Sequence, residues 1–545
     1  MTMETLTKFI APLAAIGVFA CTSSSEQGFQ ITPADLESHI IELSDDSYLG
    51  RMPFTEGETK TLAYMEKIFS EIGAEPGNGD SYFQDVPMVS ITSTAAPTMQ
   101  VVGPKGKLEL KGFEDYVIWT QRLDGEQAFK DAEMVFVGYG IVAPEYGWND
   151  YADLDVKDKI VVMLVNDPGY GQENTDLFNG NTMTYYGRWT YKLEEAAKQG
   201  ALGALIIHET EAASYGFGVV QNNWNGTKLY LDNRGKDVYQ AAFEGWVSTE
   251  TANKLFDLAG LSSVELVEQA KLPGFKGKSM GLKASSSISA EGKFDVSKNF
   301  IAKVTGTTRP NEYIIYSAHW DHIGIGTPTA DGDSIYNGAL DNATGIAAMW
   351  ALAKGFIEGE KPERTVVFLA VTAEEQGLWG SAYYAQNPVY PASQTVANIN
   401  IDGLNIFGSM KDIAVIGKGQ SELDDILDKI LAEKERYSSG DPAPTAGLYY
   451  RSDHFNFAKV GIPALYVGTG SDYRNPEQKK NAEILSKNYH TPSDEYDAEL
   501  WDMDSAVEDL MVLYKVGLTL AQSDKWPQWK EGSEFKNIRE RYMKK

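Results

Sequence analysis

The apolar run Thr365-Val366-Val367-Phe368-Leu369-Ala370-Val371 constrains this chain most, because two glutamates, Glu374 and Glu375, follow almost directly. A run of β-branched and apolar residues of this length reads as a strand buried in a sheet. The carboxyl ends of such strands are where open α/β sheets hold their ligands. Two adjacent carboxylates there repel each other, and partial burial makes both costlier to ionise. A bound cation is the obvious compensation. One carboxylate could then ligate the metal while the other moves protons.

From about residue 285 the pattern alternates strand and helix. Strands are expected at Asn299 to Val304, Glu312 to His319, 365–371, Thr395 to Asp402 and Pro463 to Gly468. Small and apolar residues over 343–357, an amphipathic 421–435 and a final stretch at 504–521 read as helices. Repeated β-then-α order predicts an α/β fold with a mixed, mostly parallel sheet flanked by helices. Two amphipathic helices are expected earlier, at 33–48 and 57–72. Between about 82 and 145 the pattern is strand-like. Lys159 to Val165 and Ala204 to His208 read as buried strands, with a helix at 189–199 between them.

A chain of 545 residues is too long for one compact core, so two or three domains are expected. Acidic residues number 77 against 48 basic, a formal net charge of −29. Such a surface repels nucleic acid and anionic membranes, so neither is an expected partner. The one cysteine, Cys21, excludes an intrachain disulfide. It follows the apolar stretch Ile10 to Ala20, which is too short to span a bilayer and has signal-peptide length. Val18-Phe19-Ala20-Cys21 resembles a bacterial lipobox, which implies lipidation of Cys21 and membrane attachment through it. The expectation is an exported protein, periplasmic or attached to the outer membrane of a bacterium, or else secreted. Residues 1–21 then form the signal peptide and 22–30 a tether.

The second half carries an ordered set of acidic and histidine residues. His319-Trp320-Asp321-His322 ends one expected strand, and Asp341 precedes the small-residue helix. Glu374 and Glu375 end the next strand, and Asp402 the one after it. His490 stands ahead of the last helix. Imidazole and carboxylate together suit zinc-like ions, and no thiolate is on offer. A pair of ions ~3.5–4 Å apart needs a shared anionic bridge, which Asp341 could supply. His319 and Asp402 could complete one ion, Glu375 and His490 the other. Glu374 is then left to take a proton from a metal-activated water and pass it to a leaving amine.

This set resembles the M28 family of co-catalytic zinc aminopeptidases, over about 30–112 and 285–522. The resemblance implies a zinc-exopeptidase-like fold, two zinc ions and peptide substrates cleaved at the amino terminus. It implies His319, Asp341, Glu375, Asp402 and His490 as ligands, with Glu374 as general base and acid. Asp321 matches an aspartate that orients the first histidine, a support that imidazole ligands generally need. Tyr450-Arg451-Ser452-Asp453-His454 is similar to a segment near the family's substrate pocket. Arg451, Asp453, His454 and His322 are therefore the candidates for substrate contact, although a hydrogen-bonded loop role for His322 and a pairing of Asp453 with Arg451 or His454 stay open. His39 and His208 read as structural.

Residues 138–144, 159–163 and 196–207 resemble a protease-associated (PA) domain, which in several M28 subgroups is inserted in the catalytic one. The resulting expectation is a peptidase domain at 31–112 and 285–545 interrupted by a β-rich PA domain at 113–284. The basic tail from Lys536 reads as a solvated helix end. Three other functions compete. A carboxypeptidase or amidohydrolase of the related M20 kind would usually carry its inserted domain between the fourth and fifth ligands, whereas Asp402 and His490 are joined here by a helix and a strand. A glutaminyl cyclase shares the fold with one zinc. A non-catalytic receptor tends to lose ligands, and none is missing here.

Overall fold

The computed structural model describes residues 29–172, 176–224, 226–330 and 332–543. The expectations for the signal peptide, Cys21 and most of the tether lie outside them. Among the described residues no helix is long and apolar enough to cross a membrane.

Four parallel strands form the centre: Arg364–Val371, Arg309–His319, Thr395–Asn400 and Ala464–Thr469, in that spatial order. Every residue of Arg364–Val371 is buried, as its unbroken apolar run requires. An antiparallel strand borders each side. Phe300 to Val304 pair with Ala370 to Val366, and Asp412–Val415 runs along Ala464–Thr469. The helices Thr344–Glu358 and Met503–Gln522 pack with Pro33–Leu43 around a core holding Ile314, Tyr316, Val366, Phe368, Leu352 and Leu510. Gly517 permits the closest approach, since a Cβ there would lie 1.8 Å from the Tyr316 hydroxyl.

The spatial order places the first of these parallel strands, Arg309–His319, between the second and the third. Chain direction therefore reverses across the sheet between Arg309–His319 and Thr395–Asn400, and such a switch opens a crevice at the carboxyl ends. His319 and Asp402 stand on its two sides.

The inserted unit is joined by a continuous ribbon. Lys278–Val304 is one strand of 27 residues, of which the sequence pattern revealed only the last six. Its middle pairs antiparallel with Phe83–Ala95, and its first third pairs with Gln127–Phe136 and Thr98–Gly103. Beyond it, Gln127–Phe136, Ile160–Leu164, Gly203–His208 and Phe243–Ser248 run parallel. The helices Trp189–Lys198 and Thr249–Ala259 belong to this unit, so it is α/β in make-up rather than simply β-rich. Met99, Val101 and Leu110 share its core with Phe136, Leu205 and Ile288. Residues from 98–111 and 278–288 thus pack in the same core as Phe136 and Leu205.

Two local expectations change. The helix expected over 33–48 stops at Leu43, and Asp46–Arg51 turns as a short 3-10 segment with Leu49 and Gly50 at positive φ. The tail is a helix, Lys536–Met543, exposed at Asn537, Glu540, Arg541 and Met543 but anchored on one side. Arg539 is 2 % exposed and donates to the carbonyls of Ala392 and Thr395, both 2.8 Å.

Candidate active site

Five chain segments meet at the crevice. His319 closes its strand, and its Nε2 lies 3.1 Å from Asp341 Oδ1 and 3.2 Å from Asp402 Oδ1. His490 approaches from the loop before the last long helix. Its Nε2 lies 3.1 Å from Asp341 Oδ2 and 3.1 Å from Glu375 Oε2. The two oxygens of Asp341 therefore face two different imidazoles, each of which has a second carboxylate beside it. Glu374 stands with His319 and Asp402, ligand-capable atoms of all three lying within 4.8 Å of one another. No hydrogen bond to its carboxylate occurs among the described residues. His322, Asp341 and Glu375 form a second such group.

The local backbone explains the convergence. After Val371 the chain turns at Ala373, φ +52°, instead of continuing the strand. Asp321 captures that turn: its carboxylate accepts the backbone N–H of Glu374 at 3.0 Å and of Glu375 at 3.4 Å. Asp341 sits in the kinked turn ahead of Thr344–Glu358, where the Asp341–Asn342 peptide is cis. Asn342 ties this turn to the neighbouring strand end, donating to Ile401 O and accepting from Gly345 N and Gly403 N. Asp494 accepts the N–H groups of Leu340 and Asp341 at 2.9 and 3.1 Å. Gly338, at φ +58°, leaves space that a side chain would deny, since its Cβ would lie 2.6 Å from the His322 ring.

The electrostatics follow from so many carboxyl groups in a buried place. Burial pushes the Glu374 carboxyl well above its usual range, and Asp402, Glu375 and Asp453 add to it. Burial works against ionised Glu375 as well, and so does Asp341, but His322 and His490 outweigh both and hold it low. Neighbouring residues thus have opposite tendencies, one towards the protonated and one towards the ionised form. Burial opposes charge on His319 and His490, yet the surrounding carboxylates raise both. Arg51 supplies a fixed cation behind the site. It is 1 % exposed and donates to the carbonyls of Leu43, Trp320, Asn337 and Gly338. Neither Arg51 nor Asp494 was singled out in the sequence, because a lone arginine after a tyrosine-leucine-glycine turn carries no spacing signal.

Several expected roles change. The Asp321 carboxylate is 3.9 Å from His319 Nδ1, too far to orient it; its main-chain carbonyl does so at 3.0 Å. The carboxylate fixes the Glu374–Glu375 turn instead. His322 is fully buried behind Glu375, its Nδ1 2.6 Å from Oε1, so it faces a ligand-capable carboxylate and not a substrate space. Asp453 is also buried and pairs with neither Arg451 nor His454. Ser381 donates to its Oδ1, its Oδ2 has no partner, and burial raises its pKa to about 7. His454 lies between the rings of Tyr449 and Tyr466 with both nitrogens unpartnered, and burial lowers its pKa to about 3. Arg451 donates to Ser214 Oγ of the inserted unit at 2.9 Å and feels the Tyr489 hydroxyl beside His490. His39 meets the Tyr64 hydroxyl at 2.7 Å and His208 the Tyr215 carbonyl at 3.0 Å, both away from the crevice.

The donors fit a pair of divalent ions. They are imidazole and carboxylate only, the set that suits zinc. Glu375 Oε1 and His322 Nδ1 meet each other, and His322 Nε2 is buried with no further hydrogen-bond partner. Buried anions outnumber the one guanidinium, and uncompensated buried charge is strongly unfavourable.

A mostly parallel sheet with imidazole and carboxylate gathered at its carboxyl edge defines an α/β protein with a metal-capable site. Residues 299–514 match Peptidase family M28. A probable zinc metalloprotease of Pyricularia oryzae is 34% identical over 114 residues, 20% of this chain and 21% of that protein. One from Pyrenophora teres f. teres is 34% identical over 104 residues, 19% of this chain and 21% of that protein. The chain thus spans about a fifth of the length of these curated relatives. Among solved structures, the aminopeptidase from Aneurinibacillus sp. strain AM-1 shares the fold with a TM-score of 0.51. It is 19% identical, over 91% of this chain and 95% of that one.

Proposed function

We propose that this protein is a zinc-dependent aminopeptidase that removes amino-terminal residues from peptides. The observation that carries the reading is the division of Asp341 between His319 and His490, with Asp402 and Glu375 completing the two halves. The M28 segment and the zinc metalloprotease relatives support it. Two zinc ions held there would supply Lewis acidity to a scissile carbonyl and lower the pKa of a water molecule towards neutrality. His319, Asp341, Glu375, Asp402 and His490 would hold them. Glu374, whose carboxylate has no hydrogen bond among the described residues, would take a proton from water and return it to the departing amine. Asp321 keeps Glu374 in place by gripping its backbone. The inserted unit, which we read as a PA domain, borders the crevice and shapes access to it. Export with Cys21 acylation completes the proposal, and mass spectrometry of the membrane fraction tests that part.

The decisive assay is a panel of peptides with free and blocked amino termini, with chelator and after zinc is restored. Cleavage of free peptides alone, lost with chelator and regained with zinc, is expected. Cleavage confined to blocked peptides would favour a carboxypeptidase, and cyclisation without chain hydrolysis a glutaminyl cyclase.

A further inference from the structure

A second chemically distinct place lies where the inserted unit meets the loop that carries Asp453. A cavity of about 200 Å³ is lined by Arg188 and Arg451 together with Trp189, Tyr215, Trp224 and Trp246. No acidic side chain lines it. Among the described residues neither guanidinium forms an ion pair, and the Nε atoms of both are buried without a hydrogen-bond partner. Asp441 acts on Arg451 only at a distance. In a chain with 77 acidic residues, two facing arginines left without carboxylates form an uncompensated arrangement.

Aromatic rings wall the enclosure. Trp224 stacks on Trp119 with ring centres 3.3 Å apart, and Trp189 meets both edge-on. Arg451 sits over the Tyr215 ring at 5.9 Å. Arg188 opens the helix Trp189–Lys198, and its stem lies against Gly447, where the two units are also joined by Met183 N donating to Pro444 O at 3.1 Å. Burial together with the like charge of Arg451 lowers the Arg188 guanidinium to about 10. Guanidinium forks match carboxylates in two parallel hydrogen bonds, and aromatic walls strengthen the attraction by excluding water. The volume suits a carboxylate on a few carbons and not a larger ligand.

Arg451 lies near residues of the crevice in sequence and in space. Arg451 is two positions from Asp453, and it is acted on by the Tyr489 hydroxyl. The Tyr489 ring in turn stacks on His490 at 3.9 Å. We propose that the Arg188–Arg451 cavity binds a carboxylate of the peptide being cleaved, either its carboxyl terminus or an acidic side chain. This rests on the aminopeptidase reading above.

The test compares kcat/KM for leucyl peptides of increasing length, each as free acid and as amide, and for amides carrying one glutamate at successive positions. A free-acid advantage of about ten- to a hundredfold at one length is expected if the carboxyl terminus is held. The same advantage at one glutamate position is expected if a side chain is held. In Arg188→Gln and Arg451→Gln the advantage should vanish while amide hydrolysis persists. Ser214→Ala, which cuts only the contact between the units, should leave it intact. Equal acid and amide rates throughout the wild-type series would overturn the proposal, and so would an advantage that survives both arginine variants. If no peptide is cleaved, the aminopeptidase reading fails. Tryptophan fluorescence then decides for the cavity: quenching by a free-acid leucyl peptide but not its amide, lost in Arg188→Gln, upholds carboxylate binding, and its absence overturns it.

Discussion

The crevice and the arginine cavity are opposite solutions to burying charge. At the crevice, carboxylates crowd around imidazoles and one guanidinium, and the excess is negative. In the cavity, two guanidiniums face each other among aromatic rings, and the excess is positive. Both arrangements are expensive unless something of opposite sign arrives. The difference indicates what each waits for: metal cations in the first, a carboxylate in the second. The segment Tyr450 to His454 joins them, since Arg451 turns to the cavity and Asp453 to the crevice.

Removing the shared bridge breaks the comparison most severely. Asp341→Ala should lose bound zinc and reduce peptide hydrolysis by at least about 10³-fold, since several kcal/mol of transition-state stabilisation go with the metal. Elemental analysis and turnover measured on the same sample check this.

The connecting segment gives a smaller effect of defined sign. His454 is buried and neutral, its pKa lowered from the usual value to about 3. Between that value and the unfolded pKa of about 6.5 the unfolded chain binds the extra proton. Its contribution is therefore present above pH ~6.5 and is lost as pH falls towards 3, by about 3 kcal/mol at pH 4. His454→Gln should move the acid-unfolding midpoint to lower pH, as followed by circular dichroism. Ser381→Ala should cost about 1–3 kcal/mol, because it strips Asp453 of its one hydrogen-bond donor in a buried place. Denaturant unfolding measures that loss, and near-neutrality would mean that Asp453 is already protonated and unconcerned.

How far the sequence could be read depended on the kind of signal. The buried strand 365–371, its neighbours at 312–319 and 395–400, and the residues at their ends were legible because apolar runs and strand-end acids are local patterns. The metal-capable cluster was legible for the same reason. Supports that act through long-range contacts were not. Arg51 bonds to Trp320, Asn337 and Gly338, far along the chain, and nothing near Arg51 in sequence announces it. The 27-residue strand was hidden because its Lys278 to Lys298 part is polar and exposed on much of its length, alternating too weakly to stand out. Asp321 shows a subtler limit: its spacing from His319 correctly placed it beside the histidine, but only geometry reveals that its carboxylate grips the next strand end. The arginine cavity needed two units to meet, which no single stretch encodes.

The central claim is that Glu374 and Glu375, although adjacent, have different tasks. The most direct measurement is the zinc content and turnover of Glu374→Gln beside those of the wild type. The account predicts two zinc ions per chain in both, with hydrolysis of free peptides reduced by about 10²–10⁴-fold in the variant. Near-normal turnover, or zinc lost together with activity, would contradict it.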